Sequence, residues 1–294
     1  MKNIVKLMLF LFVPMKLFGF GTTQISDLII YKGDTLSLFA YPIKFYPNEK
    51  LINPKSLFGN NECSHPIAWR DYVVTWEIID NQLYLVNIRN ACYPTPMKNA
   101  GTSFKGEIQK DYIGSEFADL KALFPNKYKN GKVKADWVTG KLISPQGKLL
   151  YYFPDGYYIY KTELEFTIEN GILIDTKQLD NSKTKKSKYL ENPNLLVDFI
   201  YNNIHYENLP KSDTIKRRVI VTIISSDDNG KIDNVRVLRG VNKLYDNEAI
   251  RVIKSIPEWE VIYIHGEKIS RPYSIPVNFD LTEKKENSEK IPMK

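Results

Sequence analysis

The stretch LYDNEAIRVIKSIPEWE, residues 244–260, decides the fold of the C-terminal third of the chain. Its apolar residues recur at helical spacing, at Ala249, Ile250, Ile253 and Ile256. Asp246 can cap this helix, and Pro257 cannot continue it, so the helix is predicted to end before the proline. We predict that Trp259 then packs over the end of a sheet, with a ligand contact as the alternative.

The segments around this helix predict a small αββαβ unit with an antiparallel sheet over residues 193–281. Asn192-Pro193 can cap an earlier helix, whose apolar face holds Leu195, Leu196, Phe199 and Ile200. RRVIVTIISS (217–226) and KIDNVRVLRG (231–240) are typical of two strands joined by the turn Asp227-Asp228-Asn229-Gly230. A last strand or hairpin follows in residues 261–281, with His265-Gly266 at its turn.

Residues 22–176 predict a mostly-β domain with one helix. Two hairpins are expected, one around Asp80-Asn81 and one around Asn170-Gly171, because each dipeptide separates two β-rich runs. Ser144-Pro145-Gln146-Gly147 is interpreted as a further turn. The helix is placed in residues 115–125. Residues 177–192, which are rich in Lys and Ser, are interpreted as an exposed linker, with a basic binding patch as the alternative.

The N-terminal residues are typical of an export signal. Lys2 and Lys6 precede an apolar run, residues 7–15, and small residues then allow cleavage after Gly21. The run is shorter than the roughly 20 residues that span a bilayer, so a signal peptide at residues 1–21 is favoured over an uncleaved anchor. We therefore expect a periplasmic or cell-envelope protein, with membrane contact only if this segment is retained. Residues 282–294 are predicted to be a disordered tail.

Charge and cysteine content narrow the function. The chain carries 41 Lys and Arg against 34 Asp and Glu, a net charge of +7. Removing the three lysines of the N-terminal segment leaves +4, which gives little support for nucleic-acid binding. Cys63 and Cys92 are the only cysteines. In an oxidising compartment we expect them to form a disulfide.

No catalytic constellation is evident in the sequence. Cys63-Ser64-His65 lacks the further ligands that a zinc site needs, and Asp227-Asp228-Asn229-Gly230 lacks the spacing of a calcium loop. Nucleophile-elbow, phosphate-loop and zinc-protease motifs are absent. We predict no enzyme activity, no cofactor and no metal.

Four motifs in order resemble the C-terminal domain of the TonB family. They are VIVTIISSDDNGKIDNVRVLRG, LYDNEAIRVIKSIPEW, HGEKI and YSIPVNFDL, within residues 193–281. The chain departs from the family at Tyr206-Glu207, where Tyr-Pro is usual, and at Arg217-Arg218, where a Gly is usual. Upstream, WRDYVVTWEIIDNQLYLVNI resembles stretches of uncharacterised exported bacterial proteins, which implies no function.

This resemblance implies recognition of a partner by strand addition. The favoured hypothesis is an exported envelope protein that binds an outer-membrane receptor peptide or another envelope protein, or associates with itself. An anchored energy transducer is the first alternative, but residues 177–192 are too short to reach across a periplasm, spanning at most about 58 Å when extended. An envelope enzyme in the β-domain is the second.

The partner site is predicted on the last strand, RPYSIPVNFDL, residues 271–281. Pro272 and Pro276 cannot donate ladder hydrogen bonds, so this strand is expected at a sheet edge. The predicted partner-binding residues are Tyr273, Ile275, Val277, Asn278 and Phe279. The alternative is that the prolines only protect an unused edge from aggregation.

Overall fold

The structure, a computed structural model, describes residues 25–59, 70–91, 93, 115–153, 157–210 and 216–280. These residues form an α+β protein whose sheets are mainly antiparallel, as predicted. The predicted signal peptide, the predicted tail and both Cys63 and Cys92 lie outside the described residues. Within the described part of the chain, no helix has the length and apolar character needed to cross a membrane.

The N-terminal sheet has nine strands in the described residues. They are β1 (Asp27–Tyr31), β2 (Asp34–Leu38), β3 (Tyr72–Ile79), β4 (Gln82–Asn90), β5 (Tyr128–Lys129), β6 (Lys132–Lys134), β7 (Gly140–Tyr152), β8 (Tyr158–Glu169) and β9 (Ile172–Asp180). The main order is β2-β1-β3-β4-β9-β8-β7, in which only β1 and β3 pair in parallel. Phe39 N–H donates to Ile143 O at 2.7 Å, so the two ends of the sheet meet.

Both predicted hairpins of this sheet are confirmed. β3 and β4 are joined through Asp80 and Asn81, whose φ angles are 47° and 63°. β8 and β9 are joined through Asn170 and Gly171, with φ angles of 48° and 78°. Positive φ at both turn residues matches the right-handed twist of the flanking strands. A Cβ on Gly171 would also lie 2.6 Å from Ala135 O.

The predicted turn at Ser144-Pro145-Gln146-Gly147 is wrong, because β7 continues through it. Pro145 pairs with Glu163 inside an antiparallel ladder, and the register with β8 shifts only after Gln146. A proline is tolerated here since β7 lies at one end of the strand order, where an N–H can be absent without breaking a ladder.

The predicted helix at 115–125 is also shorter than expected, a single turn, α2 (Leu120–Leu123). A second short helix, α1 (Pro54–Phe58), precedes β3.

One buried carboxylate organises the core of this sheet. Asp27, on β1, is fully buried and accepts from Arg70 Nη2 at 2.7 Å, Val74 N–H at 3.2 Å and Trp76 Nε1 at 3.3 Å. The Arg70 guanidinium stacks 3.9 Å from the centre of the Tyr41 ring. Burial raises the pKa of Asp27, while Arg70 and the other donors oppose this shift.

The C-terminal unit contains three α-helices, a short 3₁₀ helix (Tyr206–Asn208) and five strands in the described residues. They are α3 (Lys188–Glu191), α4 (Pro193–Asn203), β10 (Arg217–Ser226), β11 (Ile232–Arg239), α5 (Lys243–Lys254), β12 (Ile262–Ile264), β13 (Glu267–Ile269) and β14 (Tyr273–Phe279). β11, β10 and β14 form an antiparallel sheet in that order, and β12 pairs with β13 in a separate hairpin. The core lies between one face of the three-stranded sheet and the helices.

The helix details differ in part from the predictions. α5 is capped by Asn242, whose Oδ1 accepts from Leu244 and Tyr245 N–H, and not by Asp246. Asp246 lies inside the helix and accepts the Val241 N–H at 2.8 Å. α5 ends at Lys254, ahead of Pro257 as predicted. On α4, Leu195 is exposed, although helical spacing predicts it on the buried face.

Residues 177–192 are not the exposed linker that their composition predicts. β9 extends to Asp180, and Asn181, Thr184 and Ser187 are buried. Lys185 exchanges two backbone hydrogen bonds with Val261, at 2.8 and 3.1 Å. The lysines are exposed to solvent, whereas every third residue, from Asn181 to Ser187, is buried. The segment is therefore an ordered connection despite its high Lys content.

The β12–β13 hairpin joins the two units. Ile262 packs with Phe153 and Ile159 in a small apolar cluster. His265 Nδ1 lies 2.7 Å from Glu163 Oε2, and Gly266 N–H donates to Asn181 Oδ1 at 2.9 Å. The pairing of β12 with β13 confirms the predicted turn at His265-Gly266. This turn contacts the end of the N-terminal sheet through Glu163 and Asn181.

Candidate functional site: the outer edge of β14

β14 is an edge strand. It pairs with β10 along its whole length, from Arg217 opposite Phe279 to Ile223 opposite Tyr273. In the described part of the chain no strand pairs with its other side. Backbone groups along that side are therefore positioned to accept a further strand.

Pro276 shows which backbone groups point outwards. The register between β10 and β14 runs without a shift through Ile220 opposite Pro276. Pro276 has no N–H, so an unbroken ladder requires it at a position that makes no hydrogen bonds to β10. Alternate residues share this orientation. The outer edge thus presents two N–H donors, at Ser274 and Asn278, and three carbonyl acceptors, at Ser274, Pro276 and Asn278.

The predicted partner-binding side chains divide between the two faces of β14. Ile275, Val277 and Phe279 are at most 3% exposed and belong to the core, so their side chains cannot contact a partner. Tyr273 has the same parity but is 39% exposed at the end of the strand. Asn278 lies on the opposite, exposed face. This corrects the prediction: the outward backbone of β14, together with Asn278 and Tyr273, is what a partner can reach.

The exposed face of β14 is polar and continuous with that of β10. Arg218 Nε donates to Asn278 Oδ1 at 2.7 Å, and the Thr222 and Ser274 hydroxyls lie 2.9 Å apart. These pairs cross the ladder on the face away from the helices. The alternation along RRVIVTIISS indicates this polar face, since Arg218 and Thr222 alternate with the core residues Val219 and Val221.

Trp259 lies in the core of the C-terminal unit, 3% exposed, and Pro257 is exposed on the surface. The Trp259 backbone N–H donates to Gly230 O at 2.7 Å, which ties the segment after α5 to the β10–β11 turn. Its ring centre is 5.8 Å from that of Tyr273. Trp259 therefore supports the start of β14 from within.

Two carboxyl groups of the C-terminal unit that have shifted pKa values, Glu260 and Asp228, contact residues that precede this unit, Tyr151 and Lys183. Burial raises the pKa of Glu260, and burial together with Glu260 raises the pKa of Tyr151 to about 12. Tyr151 Oη donates to Glu260 Oε2 at 3.1 Å. Hydrogen bonds from Lys183, Tyr263 and Lys268 lower the pKa of Asp228 to about 2. Each group has a structural partner: the pKa shifts of Glu260 and Tyr151 follow mainly from burial, and that of the exposed Asp228 follows from its hydrogen bonds.

In the part of the chain that the structure describes, no group of three or more His, Cys, Asp or Glu side chains is arranged to hold a metal ion. Comparisons with protein-family models, with curated proteins and with solved structures found no match to the chain.

Proposed function

We propose that the chain is an exported cell-envelope binding protein whose C-terminal unit recognises an extended peptide by strand addition to β14. The observation that carries this proposal is the outward backbone of β14, which offers five hydrogen-bonding groups while its apolar side chains remain in the core. A partner would be held mainly through its main chain, as in other strand-addition complexes.

The order of α4, β10, β11, α5 and β14 supports the TonB C-terminal resemblance that the sequence motifs suggest. The β12–β13 hairpin, inserted before β14, carries the HGEKI motif. Under this proposal the partner is a segment of an outer-membrane receptor or of another envelope protein, and the chain lies in the periplasm. The N-terminal sheet would carry and orient the binding unit through the contacts of His265 and Gly266.

A different peptide fits the outer edge better than a second copy of β14. In an antiparallel pair centred on Pro276, each copy would place a residue without an N–H at the middle of the ladder. A buried carbonyl without a donor costs about 1–3 kcal/mol. A peptide without proline supplies its own donors and loses only one bond along the same length.

Peptide selection tests the proposal. A display library of random eight-residue peptides is selected on the chain, and the recovered peptides are measured against Asn278→Pro and Asn278→Ala. The proline removes one of the two outward N–H donors, whereas the alanine keeps it. We expect the proline variant to lose about tenfold or more in affinity, since an unmade hydrogen bond costs about 1–3 kcal/mol.

Thermal unfolding of both variants serves as the control for folding. Recovered peptides that bind a folded Asn278→Pro variant as tightly as the unchanged chain would refute strand addition at β14, as would failure to recover any peptide. Oligomeric state is measured alongside. A dimer that Asn278→Pro abolishes would show that the edge binds a second copy instead.

A further inference from the structure

Three arginines lie on the exposed face of the β11-β10-β14 sheet. Arg218 is on β10, and Arg236 and Arg239 are on β11, opposite Thr222 and Ile220. Paired residues of an antiparallel ladder project to the same face. Because Val219 and Val221 face the core, the alternate residues Arg218, Ile220 and Thr222 face outwards, together with the arginines paired to them.

Each arginine belongs to a row of residues paired across the sheet, and the three rows run in parallel towards the outer edge of β14. The first row runs from Arg218 to Asn278, the second from Arg239 through Ile220 to Pro276, and the third from Arg236 through Thr222 to Ser274. Successive rows are two residues apart on β10 and β14, about 7 Å along the strand. On β11, a register shift between Ile220 and Val221 brings Arg236 and Arg239, which are three residues apart, into these rows. A strand added to β14 would place every second side chain at the end of one row.

Within the described residues, none of the three arginines forms a salt bridge with a carboxylate. Arg218 donates to an uncharged amide, that of Asn278. The nearby carboxylates are already engaged: Asp280 pairs with Lys216 at 2.6 Å, and Asp233 accepts from the Ser225 hydroxyl at 2.5 Å. Among the described residues, the guanidinium charges of this face are therefore not matched by a carboxylate in a salt bridge.

We propose that this face selects an acidic partner, an extended segment with Asp or Glu at alternate positions on the side that shares the arginine face. The inference rests on the proposed strand addition and specifies the chemistry of the peptide. Since Arg218 Nε lies 2.7 Å from Asn278 Oδ1, its guanidinium already reaches over β14. An added strand lies about 4.8 Å further out, so a carboxylate opposite Asn278 falls within ion-pair reach of Arg218.

The contributions of the three arginines are graded by distance. Arg236 and Arg239 are on β11, three strand spacings, or about 14 Å, from an added strand. At about 0.1 M salt the Debye length is about 10 Å, so the field of these two arginines is largely screened at the partner and their contribution is small. Arg218 dominates, with a two- to fivefold effect on affinity typical of an exposed ion pair.

The same peptide library provides the test. We expect peptides whose binding depends on the Asn278 N–H to be enriched in Asp and Glu at alternate positions. A synthetic peptide with four Glu at alternate positions should bind more tightly than its Gln counterpart. Arg218→Gln should reduce this preference most, and Arg236→Gln and Arg239→Gln less. In 1 M salt the preference should disappear.

Lys254→Gln is the matched control, because it removes one positive charge from an exposed position on α5, on the other side of the sheet. It should leave the Glu preference unchanged. Peptides that require the Asn278 N–H but show no acidic enrichment would overturn the charge inference and leave strand addition intact. An equal effect of Arg218→Gln and Lys254→Gln would also overturn it, because the preference would then follow net charge. If no peptide depends on the Asn278 N–H, the proposed function itself fails.

Discussion

His265 Nδ1 lies 2.7 Å from Glu163 Oε2, and this contact links the C-terminal unit to the N-terminal sheet. Glu163 is only 4% exposed, whereas about half of the His265 side chain is accessible. Burial together with Glu163 also raises the pKa of the nearby Tyr157 to about 12. The two units therefore meet at a buried carboxylate that needs a partner, which favours a fixed orientation over free movement.

Replacing His265 tests this link. His265→Ala leaves Glu163 without the imidazole, and we expect a loss of about 1–3 kcal/mol in unfolding free energy, measured by urea denaturation. Faster amide exchange in the β12–β13 hairpin should accompany it. His205→Ala is the matched control, because His205 faces Glu207 at 3.9 Å on the surface. It should change stability by less than about 1 kcal/mol; equal effects of the two variants would contradict a special role for His265.

The Asp27–Arg70 pair should make a larger contribution to stability. Asp27→Ala removes the acceptor of Arg70, Val74 and Trp76 at once and leaves a mostly buried guanidinium unpaired. Breaking such a pair costs about 3–5 kcal/mol. Urea denaturation measures this loss. Asp34→Ala, at an exposed position on β2, should have little effect. A cost for Asp27→Ala below about 1 kcal/mol would show that the carboxylate does not organise this core.

Acid should weaken the contacts around Asp228. Hydrogen bonds from Lys183, Tyr263 and Lys268 lower the pKa of Asp228 to about 2 from its ordinary value of 3.8. A carboxyl group with a lowered folded-state pKa stabilises the protein above its unfolded pKa. This stabilisation is lost as the pH falls from about 4 through about 2. The thermal midpoint of Asp228→Asn should therefore depend less on pH in that window than that of the unchanged chain.

Asp198→Asn, at an exposed position on α4, makes the same chemical change outside this network. It should keep the pH dependence of the unchanged chain. Identical acid profiles for the unchanged chain and Asp228→Asn would contradict the assignment.

The sequence predicted local features well where a turn requires special backbone angles. Asp80-Asn81, Asn170-Gly171 and His265-Gly266 all form the predicted turns, because few residues accept a positive φ. The prediction of a turn at Pro145 is wrong, because a proline in an edge strand cannot be distinguished by sequence from a proline in a turn. The strand β7 continues through Pro145. The prediction of an exposed linker at residues 177–192 is also wrong. Its many lysines are exposed, but residues between them, such as Asn181, are buried by tertiary contacts that the composition does not indicate.

The candidate site was predictable in position but not in chemistry. Pro272 and Pro276 indicated an edge strand, and β14 is one. The apolar alternation of Ile275, Val277 and Phe279 suggests a contact surface, but the same alternation is typical of a strand that packs on its own core, as β14 does. Only pairing across the sheet distinguishes these interpretations. The rows of Arg218, Arg236 and Arg239 likewise depend on the register shifts between β10 and β11, which strict alternation along the two strands does not predict.

Gly230, in the β10–β11 turn, should tolerate a side chain less well than Gly33, in the β1–β2 turn. Its φ is 85°, and a Cβ there would lie 2.5 Å from Trp259 O, a backbone atom that cannot move independently. Gly33 has a φ of 87° but nothing within 4 Å of its Cβ position, so Gly33→Ala measures the backbone strain alone. That strain is about 1–2 kcal/mol. Gly230→Ala should cost a further 1–3 kcal/mol or so, because Trp259 must shift.

The measurement is urea denaturation of both alanine variants, with tryptophan fluorescence as a second signal. A displaced Trp259 should alter the emission of Gly230→Ala in the folded state and leave that of Gly33→Ala unchanged. Because the Trp259 ring contacts Tyr273 at the start of β14, Gly230→Ala should also weaken peptide binding at the outer edge. Equal stability losses for the two variants, with unchanged emission, would show that the turn tolerates a side chain and that Trp259 does not depend on Gly230.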